Sequence, residues 1–108
     1  MTINIAKEYT KTPGGRYIVE GPYSGEDFRK TVLRPAFIKA KTAGEKLIVI
    51  MDGGYGYGTS FLEEAFGGLV RDLGDEDISD IEIVSEEEPP LIPKIKMYIR
   101  EALNTQRR

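Results

Sequence analysis

The hydrophobic and polar positions at the start of the chain predict two strands. Residues 3–7 alternate with a period of two, which weakly indicates a first strand. Turn residues occupy positions 12–15. The run 16–20, ended by Gly21 and Pro22, then predicts the second strand of a hairpin.

The clearest strand signal is the continuous apolar run over residues 46–51. Such a run is typical of a central strand that is covered on both faces. Residues 81–84 form a shorter run and predict the last strand.

Three segments have the periodicity of amphipathic helices. The first begins at Ser24, whose following acidic residues indicate a capping box, and Pro35 is expected to kink it or to start a second short helix. The second covers residues 60–73 and ends at Gly74, and the third begins near Pro90. We expect the core to include Val49, Phe61, Phe66, Leu69, Ile83, Ile95 and Ile99.

The element order is therefore β-β-α-β-α-β-α within one domain, residues 1–108, because a chain of this length has room for one core. Strands that alternate with helices predict an α/β fold. We expect a mixed, largely parallel four-stranded sheet with the helices packed on it.

Composition limits the chemistry of the chain. It contains neither cysteine nor histidine. Their absence removes the thiol nucleophile, the disulfide, the commonest general base and the commonest metal ligand. We therefore expect no catalytic residue, no metal site and no cofactor.

Charge is unevenly distributed along the chain. Residues 1–50 carry a net charge of +4 and residues 51–108 a net charge of −7, with nine acidic residues and no basic one between Asp72 and Glu88. An acidic face repels phosphate backbones, so nucleic-acid binding is disfavoured. No apolar run approaches the ~18 residues of a membrane helix, and no signal-peptide pattern opens the chain. We expect a cytoplasmic protein without a membrane partner.

The most unusual segment is the glycine-rich loop 52–58, between the central strand and the second helix. Loops in this position can bind anions through free backbone N–H groups. Gly58 stands where a Walker loop has lysine, and Thr59 stands where a dinucleotide loop has its last glycine. A nucleotide or other small ligand nevertheless stays open as an alternative, with Asp52 and Glu63 as carboxylates for Mg²⁺. Its candidate binding residues are Ser24, Asp52, Gly54, Gly56 and Gly58.

The junction between this loop and the helix carries two hydroxyls. Ser60 and Glu63 have the spacing of a second capping box, and Thr59 lies just outside the helix. Tyr55 and Tyr57 are flanked by glycines, so their rings either lie over the sheet edge or form an exposed aromatic contact patch.

Two glycines in the middle of the second helix, Gly67 and Gly68, cost about 1 kcal/mol each relative to alanine. We expect another helix, or a strand of this chain or of a partner, to approach closely at that point.

Two stretches of the sequence resemble the signature stretches of a known family. Residues 21–29 contain S-G-E-x-F-R. Residues 59–67 contain S-F-L-x-E-A-F-G and follow a hydrophobic strand and Asp52. Over roughly residues 15–85 the chain resembles the STAS-like domain family of unknown function.

The resemblance implies a fold like that of anti-sigma-factor antagonists. In those proteins a switch kinase phosphorylates a serine or threonine at the start of a helix, and the phosphate controls partner binding. Thr59 and Ser60 are the matching positions, although Gly58 replaces the aspartate that precedes the hydroxyl in antagonists. The implied partner is a histidine-kinase-like ATPase or another regulator.

The leading hypothesis is a non-enzymatic regulatory module that binds a protein partner or a second copy of itself and is switched by phosphorylation at Thr59 or Ser60. The expected contact residues are Tyr55, Tyr57, Thr59, Ser60, Glu63 and Glu64. Two alternatives stay open: a small-ligand or nucleotide-binding protein that uses the glycine-rich loop, and a phage or mobile-element protein that blocks a host factor.

Overall fold

The centre of the fold is a small parallel sheet. The computed structural model describes residues 1–74 and 77–106. The strands, in their order across the sheet, are β1 (Thr2–Asn4), β2 (Ile48–Ile50) and β3 (Glu82–Val84). The predicted central position of the strand within residues 46–51 is thereby confirmed, because β2 pairs with β1 on one side and with β3 on the other.

The prediction of a strand over residues 16–20 is wrong, and the sheet has three strands rather than four. A 3-10 turn, Ile18–Glu20, stands in its place. The Glu20 carboxylate accepts the N–H of Tyr17 at 2.7 Å, and the Glu26 carboxylate accepts the N–H of Ile18 at 2.9 Å. These local side chains satisfy the backbone groups that a strand would pair, so the sheet is parallel throughout rather than mixed.

Two long helices connect the parallel strands, and each contains a π-helical segment. α2 (residues 25–42) consists of Gly25–Phe28, the π-helical Arg29–Leu33, and Arg34–Thr42. α3 (residues 59–73) consists of Thr59–Leu62, the π-helical Glu63–Gly67, and Gly68–Leu73. The remaining helices are the single turn α1 (Ile5–Glu8) and the C-terminal α4 (Leu91–Gln106).

Sequence signals at the ends of these helices are largely confirmed. Ser24 caps α2, since its Oγ accepts the N–H of Asp27 at 3.0 Å. Pro35 directly follows the π-helical segment, in the first turn of the second α-helical part of α2, as expected for a proline that interrupts the regular helix or starts a second one. Gly74 follows α3 with φ of 64°, a conformation that favours glycine.

The core lies between the sheet and the helices. α3 packs against both α4 and the beginning of α2, so it is the central helix of the fold. Among residues 1–74 and 77–106, no helix is long and apolar enough to cross a membrane. All seven expected core residues are buried: Val49, Phe61, Phe66, Leu69, Ile83, Ile95 and Ile99.

Candidate functional site

The glycine-rich loop leaves the carboxyl end of β2 and is anchored at its base. The Asp52 carboxylate accepts the backbone N–H groups of Glu86 at 3.0 Å and Glu87 at 2.8 Å. In return, Gly53 donates its N–H to the Glu87 carboxylate at 2.7 Å. Asp52 thus ties the loop after β2 to the loop after β3, which is a structural role.

Tyr57 belongs to the edge of the core. Its half-buried ring packs against Phe61, with ring centroids 5.8 Å apart, and its hydroxyl donates to the carbonyl of Met51 at 2.9 Å. Burial, together with the charges of Asp52 and Glu87, raises the pKa of Tyr57 to about 12. Of the two interpretations of this ring, packing over the sheet edge is the one that the structure supports.

Tyr55, in contrast, presents its side chain to solvent. The ring is 84% exposed, although the backbone beneath it is held, because its N–H donates to the carbonyl of Lys11 at 2.9 Å. Gly54 permits this contact, since a Cβ there would lie 3.1 Å from the same carbonyl oxygen. The expected exposed aromatic patch therefore consists of one ring, that of Tyr55.

The predicted capping box at Ser60 is wrong. The N-cap of α3 is Gly58, with φ −76° and ψ 155°, and it contributes no side-chain hydrogen bond. Thr59 and Ser60 are consequently the first two helical residues, and both are exposed. In a capping box the Glu63 carboxylate would accept a backbone N–H at the start of the helix, but here it accepts hydrogen bonds from Arg16 and Arg71.

Glu63 lies between two arginines. Its carboxylate accepts hydrogen bonds from Arg16 at 2.7 Å and from Arg71 at 2.8 Å. The hydrogen bond from Arg71, reinforced by Arg16, lowers the pKa of Glu63 below its ordinary value. Arg16 comes from the loop before α2, so this carboxylate fastens that loop to α3.

Glu64 is buried against Arg29 of α2. Nη1 of Arg29 donates to the Glu64 carboxylate and, at 2.8 Å, to the Glu64 main-chain carbonyl. Nε of the same arginine donates to Asp72 at 2.8 Å. With Glu63 and its two arginines, these residues form a network of three arginines and three carboxylates across α2 and α3. Glu64 is therefore unavailable as a surface contact.

The mid-helix glycines are explained by this network. A Cβ at Gly68 would collide with the Arg29 guanidinium, and a Cβ at Gly67 would collide with the Glu63 carboxylate. Charged side chains of this chain thus fill the space for which the sequence predicts a helix or a strand.

Residues proposed for a small-ligand site converge only in part, because Asp52, Gly54 and Gly56 line a common cavity whereas Ser24, Gly58 and Glu63 do not. Ser24 is buried and its Oγ accepts a capping N–H, while Asp52 and Glu63 hold unrelated partners. Gly56, with φ of 119°, and Gly58 both face open space. A cavity of about 140 Å³ does lie beside the loop, and its acidic lining consists of Asp52, Glu87 and Glu88. Within residues 1–74 and 77–106, no group of three or more acidic, histidine or cysteine side chains is arranged to hold a metal ion.

Some members of the acidic run between Asp72 and Glu88 have partners within the chain. Asp72 pairs with Arg29, and Glu82 lies 3.5 Å from the ammonium group of Lys46. Two members of the run, Asp75 and Glu76, lie outside the described residues.

Sequence reasoning missed one surface feature. The sequence predicts a strand for Tyr17, Ile18 and Val19, yet all three side chains are exposed, Val19 by 92%. The sequence did contain a signal for this surface, because residues 17–19 are three consecutive apolar residues. A half-buried hairpin strand would instead alternate apolar and polar residues.

Comparison with known protein families agrees with the two signature stretches. The model of a STAS-like domain of unknown function (DUF4325) matches residues 24–90, more than half of the chain. Searches of curated proteins and of solved structures found no significant match. The matched range contains Ser24 to Arg29, the loop and the whole of α3. The chain therefore belongs to the family of STAS-like domains of unknown function.

Proposed function

We propose that the protein is a non-enzymatic binding module whose contact surface consists of Tyr55 and the exposed start of α3, Thr59 and Ser60. The observation that carries the proposal is the 84% exposure of the Tyr55 ring at the carboxyl end of the central strand. In open α/β sheets this end is where ligands and partners usually bind. Tyrosine is also enriched among the residues that anchor protein interfaces.

The backbone that presents Tyr55 is already ordered. Asp52 holds one side of the loop, the carbonyl of Lys11 holds Tyr55 itself, and the hydroxyl of Tyr57 holds the other side. A partner would therefore order little more than one side chain on binding. Preorganisation of this kind favours affinity because less conformational entropy is lost.

Phosphorylation of Thr59 or Ser60 is the proposed control. Both hydroxyls are exposed, and Gly58 leaves the first turn of α3 without a side-chain cap. A phosphate there adds about −1.5 to −2 charges at the favourable end of the helix dipole. The same charge, only a few residues from Tyr55, would repel an acidic partner and would strengthen a contact with a basic one.

Nucleotide binding by the glycine-rich loop has less support. Two of its N–H groups, those of Gly53 and Tyr55, already have partners within the protein. The adjacent cavity is lined by carboxylates, which repel phosphates.

Photo-crosslinking tests the contact surface. The chain, with a benzophenone amino acid at position 55, is produced in its own cells and irradiated. A second version carries the same amino acid at position 38, since Ile38 is also apolar and exposed but lies on α2. We expect a discrete protein adduct from position 55 and none of the same mass from position 38. The absence of any adduct from position 55 would contradict the proposal.

Phosphorylation of Thr59 or Ser60 is tested separately from the contact surface. Mass spectrometry of the protein purified from its own cells should find phosphate on Thr59 or Ser60, with exposed Ser79 as the internal control. Phosphate confined to Ser79, or absent from the whole chain under all growth conditions sampled, would remove the switch from the proposal and leave the contact surface in place.

A further inference from the structure

A second apolar surface lies far from Tyr55 in the sequence. Of the six large apolar side chains that are exposed in the described part of the chain, four fall within residues 17–23, which we term the knob: Tyr17, Ile18, Val19 and Tyr23. Val19, at 92% exposure, lies in the 3-10 turn of the knob. Solvent-exposed apolar clusters of this kind mark interaction surfaces.

The knob is held in a single shape by its own hydrogen bonds. Glu20 donates its N–H to the carbonyl of Tyr17 at 2.9 Å, and Gly21 donates to the carbonyl of Ile18 at 3.2 Å. The ion pair between Arg16 and Glu63 fastens its base to α3. The exposed side chains therefore belong to a preorganised projection and do not collapse onto the core.

An apolar cavity with basic residues at its lining lies elsewhere on the same chain. It has a volume of about 330 Å³, within the ~300–1,000 Å³ range of protein binding pockets. Its apolar lining comes from Ile81, Ile99 and Leu103. Lys96 and Arg100 supply its positive charge; both are exposed, and neither forms an ion pair with another residue of 1–74 and 77–106.

We propose that the knob of one copy of the chain inserts into this cavity of a second copy. Val19 would contact the apolar lining, and the exposed carboxylate of Glu20 would face the positive charges of Lys96 and Arg100. The apolar knob carries an acidic residue and the apolar cavity carries two basic ones, so the two surfaces are complementary in both polarity and charge.

The contact is heterologous, because the knob and the cavity are different surfaces. Such a contact gives a closed ring when the rotation between copies closes, and an open chain when it does not. It uses neither Tyr55 nor the start of α3, so it stands or fails separately from the proposed function.

Sedimentation velocity over a wide range of protein concentration tests this inference. We expect the average mass of the wild-type protein to rise with concentration. Val19→Ser on the knob and Arg100→Glu at the cavity should each weaken self-association by about tenfold or more, the scale of losing one interface anchor. Ile38→Ser, which makes the same polar change at an exposed apolar position elsewhere, should associate like the wild type.

Mixing the two impaired variants gives the sharpest result. Val19→Ser keeps an intact cavity and Arg100→Glu keeps an intact knob, so their mixture should form a one-to-one complex that neither forms alone. Circular dichroism establishes that each variant is folded. A wild-type protein that stays monomeric at every concentration, or a mixture without the one-to-one complex, would overturn the inference.

Discussion

Arg29 and Glu64 lie against each other in the interior, 6% and 7% exposed, and the arginine binds both the carboxylate and the main-chain carbonyl of the glutamate. Arg29 ends the first signature stretch and Glu64 lies within the second. Other members of the two stretches also meet: a Cβ at Gly25 would lie 2.5 Å from the carbonyl oxygen of Phe61, and Phe28 stacks on Phe61. The signature stretches are therefore the interface between α2 and α3.

Removing either member of this pair should destabilise the protein strongly. Arg29→Met or Glu64→Met alone removes the closest partner of a buried charge, and the pairs that remain, Arg16 with Glu64 and Arg29 with Asp72, compensate only in part. Loss of a buried charge partner costs up to about 3–5 kcal/mol in the free energy of unfolding. The double variant with methionine at both positions should cost clearly less than the sum of the two. Urea denaturation of the three variants measures this difference, and additive losses would show that the two side chains do not interact.

Replacing the serines at the starts of α2 and α3 should change the free energy of unfolding by different amounts. Ser24→Ala removes a buried hydroxyl that caps α2 and should cost about 0.5–2 kcal/mol in the free energy of unfolding. Ser60→Ala removes an exposed hydroxyl in the first turn of α3 and should change it by less than about 0.5 kcal/mol. Equal losses in denaturant melts of the two variants would contradict the assignment of Gly58 as the N-cap.

Replacing the two loop tyrosines should also change the free energy of unfolding by different amounts. Tyr57→Ala removes the ring packed on Phe61 and should cost about 2 kcal/mol, roughly half the loss for a fully buried aromatic side chain. Tyr55→Ala should leave the free energy of unfolding within about 0.5 kcal/mol of the wild type. Thermal or urea melts compare the two, and a Tyr55→Ala variant as unstable as Tyr57→Ala would show that Tyr55 is a packing residue.

Acid should weaken the network through Glu63. Its pKa in the folded protein is below the ordinary value of 4.5, so the unfolded chain binds more protons as the pH falls. The stabilisation by this carboxylate is therefore fully present above pH 4.5 and is lost as the pH falls through the lowered pKa. Urea melts at several acidic pH values should give a steeper loss for the wild type than for Glu63→Gln. Identical slopes would contradict the ion pairs of Glu63 with Arg16 and Arg71.

The sequence was a good guide where one local pattern decides the structure. The apolar run 46–51 is typical of a central strand, and β2 is the middle strand of the sheet. Gly74 marks the end of α3 by its own conformation. Residues 16–20 also have strand-forming composition, but the backbone groups there bind Glu20 and Glu26 instead. Composition alone does not distinguish an exposed 3-10 turn from a strand in that case.

The site was harder to predict because its residues have distant partners. Ser60 and Glu63 have the spacing of a capping box, but the Glu63 carboxylate forms an ion pair with Arg16, which is 47 residues away in the chain. The cost of Gly67 and Gly68 predicted the close approach of another helix or a strand, whereas the nearest groups are the side chains of Glu63, on the same helix, and of Arg29. Tyr55 and Tyr57 have almost the same local sequence, and tertiary packing alone makes one a surface ring and the other a core ring.

The most direct test of the proposed function is the affinity of the purified protein for the partner identified by crosslinking at position 55. Isothermal titration calorimetry should show that Tyr55→Ala lowers this affinity by about tenfold or more, the loss expected for an interface anchor. Ile38→Ala, at a matched exposed apolar position on α2, should bind like the wild type. Binding of Tyr55→Ala that equals the wild type would contradict the account.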